Sequence, residues 1–148
     1  MLSNTIDQEI KKAMLAKDQA QLRGLRAIKA ALLLAKTEKG PAEEITEEAE
    51  VKIIQKLIKQ RRESSDIYKT QGRADLAQVE DEEIEVISQF LPKQMDRSEV
   101  EAVIAGIVSQ TGASSVKDMG KVMGLANKEL AGKADGKLIA EVVKAQLA

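Results

Sequence analysis

The chain has 148 residues, with 23 Lys and Arg against 24 Asp and Glu, no Cys, no His, no Trp, one Tyr and one Phe. That length suits one domain or two very small ones. The missing thiols exclude disulfides, zinc–thiolate sites and a cysteine nucleophile, and the missing imidazoles remove the usual general base near neutral pH and the commonest metal ligand.

Almost every segment reads as helix, so the expected fold class is all-α. Leu2, Ile6, Ile10 and Met14 recur every four residues and mark a first helix. Asp18 is placed to cap a second, which runs through Leu22, Leu25, Ile28 and Leu32 and stops at Gly40-Pro41. Thr46 caps a long third helix, with Glu47 and Glu48 in its first turn, where the helix dipole favours acids. Its apolar face is Val51, Ile54, Leu57 and Ile58, and it fades toward Gln71-Gly72. A fourth carries Leu76, Val79, Ile84 and Ile87 and ends at Phe90-Leu-Pro92.

Asp96-Arg-Ser-Glu99 has the logic of a capping box, with Asp as the cap. It opens a fifth helix with Val100, Val103, Ile104, Ile107 and Val108, closed by Gly112. Ser115 caps a sixth through Met119, Val122, Met123, Ala126 and Leu130, which Gly132 ends. Asp135 caps a last helix with Leu138, Ile139, Val142 and Val143. The organisation expected is an amino-terminal helical domain of about four helices, residues 1–94, followed by a small three-helix domain, residues 95–148.

The opening segment is polar and mixed in charge, unlike a signal peptide. No apolar run approaches the roughly 20 residues of a membrane span. The expected location is the cytoplasm, without a membrane partner.

Charge is segregated along the chain. Residues 11–36 carry a net +6, residues 52–73 a net +5, residues 75–101 a net −7 and residues 112–148 a net +2. Such blocks either pair inside the fold or present a field to a partner, and the sequence leaves both open. The third helix illustrates this. Lys56, Lys59 and Arg62, with Lys52, Lys69 and Arg73, sit beside its apolar stripe, as a ridge for phosphates or as a solvated face paired with the acidic fourth helix. Arg61 lies nearer the apolar side, where Glu82 or Glu83 would pair with it.

No motif for catalysis emerges. The acids Glu80-Asp-Glu-Glu83 with Glu85 would point different ways on a helix, and no EF-hand spacing is present, so no metal site is expected. Ser114 and Ser115 sit where a helix cap is needed rather than in a nucleophile elbow. Gly120-Lys121 lacks the upstream glycine and the following Ser or Thr of a phosphate-binding Walker loop. No catalytic residue and no cofactor are therefore assigned.

The segment with the most distinctive composition is the last. Five of the nine glycines fall at positions 112, 120, 124, 132 and 136, among lysines at 117, 121, 128, 133, 137 and 144. Gly120 and Gly124 fall inside an expected helix, where each costs about 1 kcal/mol relative to alanine. Two readings stand: a flat, basic surface approached by phosphates, or glycines that let helices pack closely beside solubilising lysines. The first makes Lys117, Lys121, Lys133 and Lys137 the leading candidates for a phosphate-binding surface, with Lys56, Lys59 and Arg62 secondary.

At these residues the chain resembles the GatB/YqeY family over essentially its whole length. The resemblance is carried by Leu22-Arg-Gly-Leu-Arg-Ala-Ile-Lys-Ala-Ala31, Gln60-Arg-Arg-Glu-Ser64 with Tyr68, Gly72-Arg-Ala-Asp-Leu76, Phe90-Leu-Pro-Lys-Gln94, Lys117-Asp-Met-Gly-Lys-Val-Met-Gly124 and Ala134-Asp-Gly-Lys137. It implies a stand-alone protein related to the carboxy-terminal part of GatB, a subunit of the tRNA-dependent amidotransferase that amidates misacylated glutamyl- or aspartyl-tRNA. In that subunit the tail is associated with holding tRNA, so the resemblance implies a tRNA-facing role for Lys117, Gly120, Lys121, Gly124, Gly136 and Lys137, and makes these with Lys133 the RNA-binding candidates. The parts that activate the carboxylate and release ammonia have no counterpart in a chain this short.

The expected function is thus a non-catalytic helical module that binds tRNA or a tRNA–enzyme complex through phosphates, with no preference for DNA indicated. Two aromatic residues are too few for recognition by base stacking, so shape and backbone would be read instead. One alternative is a protein–protein adaptor for an aminoacyl-tRNA synthetase or an amidotransferase subunit. A second is an accessory part of a carbon–nitrogen ligase with glutamine as amido-nitrogen donor.

Overall fold

In the structure, a computed structural model that describes residues 2–40 and 44–148, the chain is helical throughout, with no strand among the described residues. It divides into two compact units, Met1–Leu91 and Pro92–Ala148.

The first unit contains α1 (Leu2–Leu15), α2 (Gln19–Lys39), α3 (Glu47–Thr70) and α4 (Ala74–Ser88). The α1–α2 turn is tight. Asp18 N–H reaches back to the Ala13 carbonyl at 3.1 Å, and Lys17 takes a left-handed φ of 55°. Asp18 then caps α2, its carboxylate accepting from Gln21 N–H at 3.1 Å. Gly40 ends α2 with φ 102°; Pro41, the other half of the expected stop, lies outside the described residues. Thr46 Oγ1 caps α3 by accepting from Ala49 N–H at 3.1 Å.

The core of this unit joins Ile6 and Ala13 of α1, Leu22, Leu25, Ile28 and Leu32 of α2, Ile45, Ile54 and Ile58, and Ile87 of α4. Two features tune the packing. Gly24 is where α2 meets α4: a Cβ built there would lie 2.5 Å from Val86 Cγ1. Glu50, only 4 % exposed, sits on the buried stripe of α3 at one and two turns from Ile54 and Ile58. Its two carboxylate oxygens accept from the backbone N–H groups of Leu2 and Ser3 at 3.2 and 2.8 Å. It therefore caps α1 from another helix, satisfying donors that α1 cannot satisfy itself.

The apolar face expected for α4 needs correcting by part of a turn. Ala77, Val86 and Ile87 are its buried residues, whereas Val79 is exposed. Half-buried Glu80 and Glu83 occupy places that an apolar pattern skips.

The second unit contains α5 (Arg97–Thr111), a 3-10 turn (Val116–Asp118), α6 (Met119–Glu129) and α7 (Gly136–Leu147). Asp96 accepts from Glu99 N–H at 2.8 Å, and Gly112 ends α5 with a left-handed φ of 67°. Ser115 caps the 3-10 turn rather than α6 itself, accepting from Lys117 N–H at 3.3 Å. Its core comprises Val100, Ile104 and Ile107 of α5, Val122 and Ala126 of α6, Leu130 and Ala134 of the following turn, and Ile139, Val142, Val143 and Leu147 of α7.

Candidate nucleic-acid interface

The acidic block of α4 is largely spent on its neighbours. Arg23 of α2 donates to Glu82 at 2.6 Å, and Arg61 of α3 lies 3.5 Å from Glu83, one of the two partners anticipated for it. Asp81 accepts from the Ser65 hydroxyl at 2.6 Å and stands 3.3 Å from Lys69. The Ser65 hydrogen bond, seconded by Lys69, holds the Asp81 carboxyl below its ordinary value. Asp75 is held low in the same direction, first by its hydrogen bond from Arg73. Glu80 is pushed up, chiefly by burial and then by the neighbouring Glu83. Of the four consecutive acids, Asp81 and Glu83 thus pair with α3 and Glu82 with α2.

Part of the positive charge of α2 and α3 is neutralised by these pairs. Lys56, Lys59 and Arg62 are not among the residues so paired: all three are exposed, and among the described residues no carboxylate lies within 4.0 Å of them.

In the second unit, α6 turns Val122 and Ala126 into the core. Helical geometry then puts Lys121, Gly124 and Lys128 on the outward side, with Gly120 and Leu125 beside them, and all five are exposed. Lys117 is exposed on the 3-10 turn that leads into this face. Among the described residues none of Lys117, Lys121, Lys128, Lys133, Lys137 and Lys144 has a carboxylate within 4.0 Å.

The glycines of this face do not serve helix packing. A Cβ at Gly120, Gly124 or Gly136 would meet nothing within 4 Å. Within the second unit, the reading in which Gly120 and Gly124 admit a neighbouring helix is overturned. The glycine that does this is Gly24, which the Leu22, Leu25 and Ile28 stripe brackets.

The basic residues do not all converge on one point. Lys117, Gly120 and Lys121 stand at the start of α6, while Lys133, Gly136 and Lys137 follow its end, and a helix of 11 residues is about 16 Å long. The turn that presents the second group is fixed. Met95 N–H donates to the Lys133 carbonyl at 2.8 Å, the Gln94 side-chain amide donates to the Gly132 carbonyl at 2.7 Å, and Gly132 takes φ 76°. Asp135 caps α7 through Leu138 N–H at 2.8 Å, so Gly136 and Lys137 occupy the first turn of a helix. Lys133 and Lys137 are both exposed.

These features define a class: a helical protein whose second unit carries a basic, glycine-flattened helix face. The family model of the YqeY-like proteins matches residues 3–147, and the chain belongs to that family. A curated relative, "Altered inheritance of mitochondria protein 41, mitochondrial" of Meyerozyma guilliermondii, is 33% identical over 88 residues. That match spans 60% of this chain and 45% of the relative, so it accounts for less than half of that protein. No described helix is long and apolar enough to cross a membrane.

Proposed function

We propose that this chain is an RNA-binding helical module, without catalysis of its own, that engages tRNA or a tRNA–enzyme complex through the phosphate backbone. The observation that carries the reading is the outward face of the 3-10 turn and α6. Lys117, Lys121 and Lys128 stand there exposed and unpaired among the described residues, beside two glycines with open space above them. An unpaired lysine attracts phosphate without first breaking an ion pair. A glycine on the exposed side lets a sugar–phosphate backbone approach the helix more closely than a side chain would.

The relation to the amidotransferase is part of the same proposal and rests on the sequence resemblance to GatB. Lys133, Gly136 and Lys137 extend the basic track beyond α6, and the first turn of α7 adds its dipole to their charge. Lys56, Lys59 and Arg62 supply a second basic surface on α3. The test is binding of the full chain to bulk tRNA across a salt series, with Lys117, Lys121 and Lys137 replaced together by alanine. Phosphate contacts make the logarithm of affinity fall linearly with the logarithm of salt concentration. Loss of the three lysines should reduce that slope by roughly three. An unchanged slope removes them from the interface.

A further inference from the structure

The second unit, Pro92–Ala148, has no flat side chain free to stack on a nucleobase. The single Tyr and the single Phe of the chain, Tyr68 and Phe90, both lie in the first unit, and the chain has no Trp and no His. A guanidinium plane can replace an aromatic ring in this role. The second unit has one arginine, Arg97, and it is engaged: its Nε lies 3.0 Å from Glu101 and its Nη1 3.6 Å from Glu141. Proteins that grip unpaired strands hold successive bases on such planes. What α6 offers a nucleic acid instead is point charge.

That charge stands in a fixed row. Lys121 and Lys128 are two turns apart on α6, so they share one line of the helix at a separation of about 10 Å. Both are exposed, and among the described residues neither has a carboxylate within 4.0 Å. The two edges of the row differ. On one edge Gly120 and Gly124 leave open space, and Asn127 is the next side chain round. On the other edge stand Leu125 and then Glu129, both exposed. Asp118, at the start of the helix, is turned back to accept from Ser114 N–H at 3.0 Å. The acids therefore leave the glycine edge uncovered.

A single strand would have to be ordered along this row with no stacking to offset the freedom it loses. A double helix arrives ordered, with its bases already stacked inside, and carries twice the phosphate charge of one strand along the same axis. Its sugar–phosphate ridge needs a shallow seat beside the cations, and the Gly120–Gly124 edge is one.

We infer that the outward face of α6 binds base-paired RNA, a double-helical arm rather than an unpaired loop. Lys121 and Lys128 hold the phosphates, and Gly120 and Gly124 let the ridge settle between them. This deepens the RNA reading above and rests on it.

The test titrates the full chain by anisotropy against a fluorescein-labelled RNA duplex of about 20 base pairs and a labelled uridine strand of the same length, which cannot pair with itself, with bulk tRNA alongside. The duplex should bind about tenfold tighter than the strand or better. Lys121→Ala with Lys128→Ala should lower the salt slope for the duplex by roughly two. Gly120→Gln with Gly124→Gln keeps every charge and should weaken duplex binding about fivefold or more, without lowering the thermal melt by circular dichroism. Equal or tighter binding of the uridine strand overturns the inference, as does duplex binding that either double variant leaves unchanged. Binding of tRNA without binding of the duplex also overturns it, while the RNA reading stands. Failure of tRNA, duplex and strand together removes both.

Discussion

Glu50 of α3 accepts the backbone N–H of Ser3 at 2.8 Å, across 47 positions of sequence. With Leu2 N–H on its other oxygen, the carboxylate holds the start of α1 onto α3 while being almost wholly buried. Burying a carboxylate is tolerable here because two N–H donors and the positive end of α1 replace its water. Glu50→Ala leaves both donors unpaired and should cost about 1–3 kcal/mol in urea unfolding. Glu50→Gln keeps one acceptor oxygen and should cost less. Amide exchange in α1 should quicken more than in α3; uniform loss of protection would contradict a local clamp.

The glycines separate into two kinds. Gly24→Ala forces a Cβ to 2.5 Å from Val86 Cγ1 and 2.8 Å from Val86 Cβ and should destabilise by about 1–3 kcal/mol; Val86→Ala, which keeps the Cβ, should recover only part of the loss in the double variant. Gly120→Ala and Gly124→Ala meet open space in α6 and should stabilise by about 0.5–1 kcal/mol each. Thermal melts of the four variants check both halves of the statement.

Acid sensitivity should depend on Ser65. The Asp81 carboxyl is held below the ordinary carboxylate range because the Ser65 hydroxyl, and then Lys69, favour its charged form. A depressed folded-state value contributes stability above the unfolded value. That contribution is lost as pH falls through the folded one. Ser65→Ala should therefore be less stable than wild type near neutrality, and the gap should narrow from about pH 5 downward. Urea midpoints against pH measure this; a gap that stays constant to low pH would assign the loss to packing alone.

Much of the fold was legible because its signals are local. Asp18, Thr46, Asp96 and Asp135 each cap the helix start they precede, and Gly112 ends α5 in the left-handed conformation that a glycine permits. What escaped was set by contacts between distant segments. Val79 fits an apolar stripe in sequence, yet the groove beside α3 is closed by Glu80 and Glu83 around Arg61. Met14 extends the four-residue rhythm of α1, but the tight turn buries Ala13 and leaves Met14 outside. The sequence did put Glu50 in register with Ile54 and Ile58, a charge on a buried stripe, and that was the available signal. Ser115 reads as a helix cap because a 3-10 turn and the first turn of an α-helix use the same cap chemistry. The candidate interface was legible as composition, since lysines and glycines crowd its segment. The space above Gly120 and Gly124 was not, because an open face and a close helix contact call for the same residue.

The most direct test of the central claim is the tRNA salt series on purified full chain, with the Lys117, Lys121 and Lys137 triple alanine variant run alongside. The account predicts salt-dependent binding in the wild type and a slope lower by roughly three in the variant, with an unchanged melt. No binding at low salt, or binding with an unaltered slope in the variant, would contradict it.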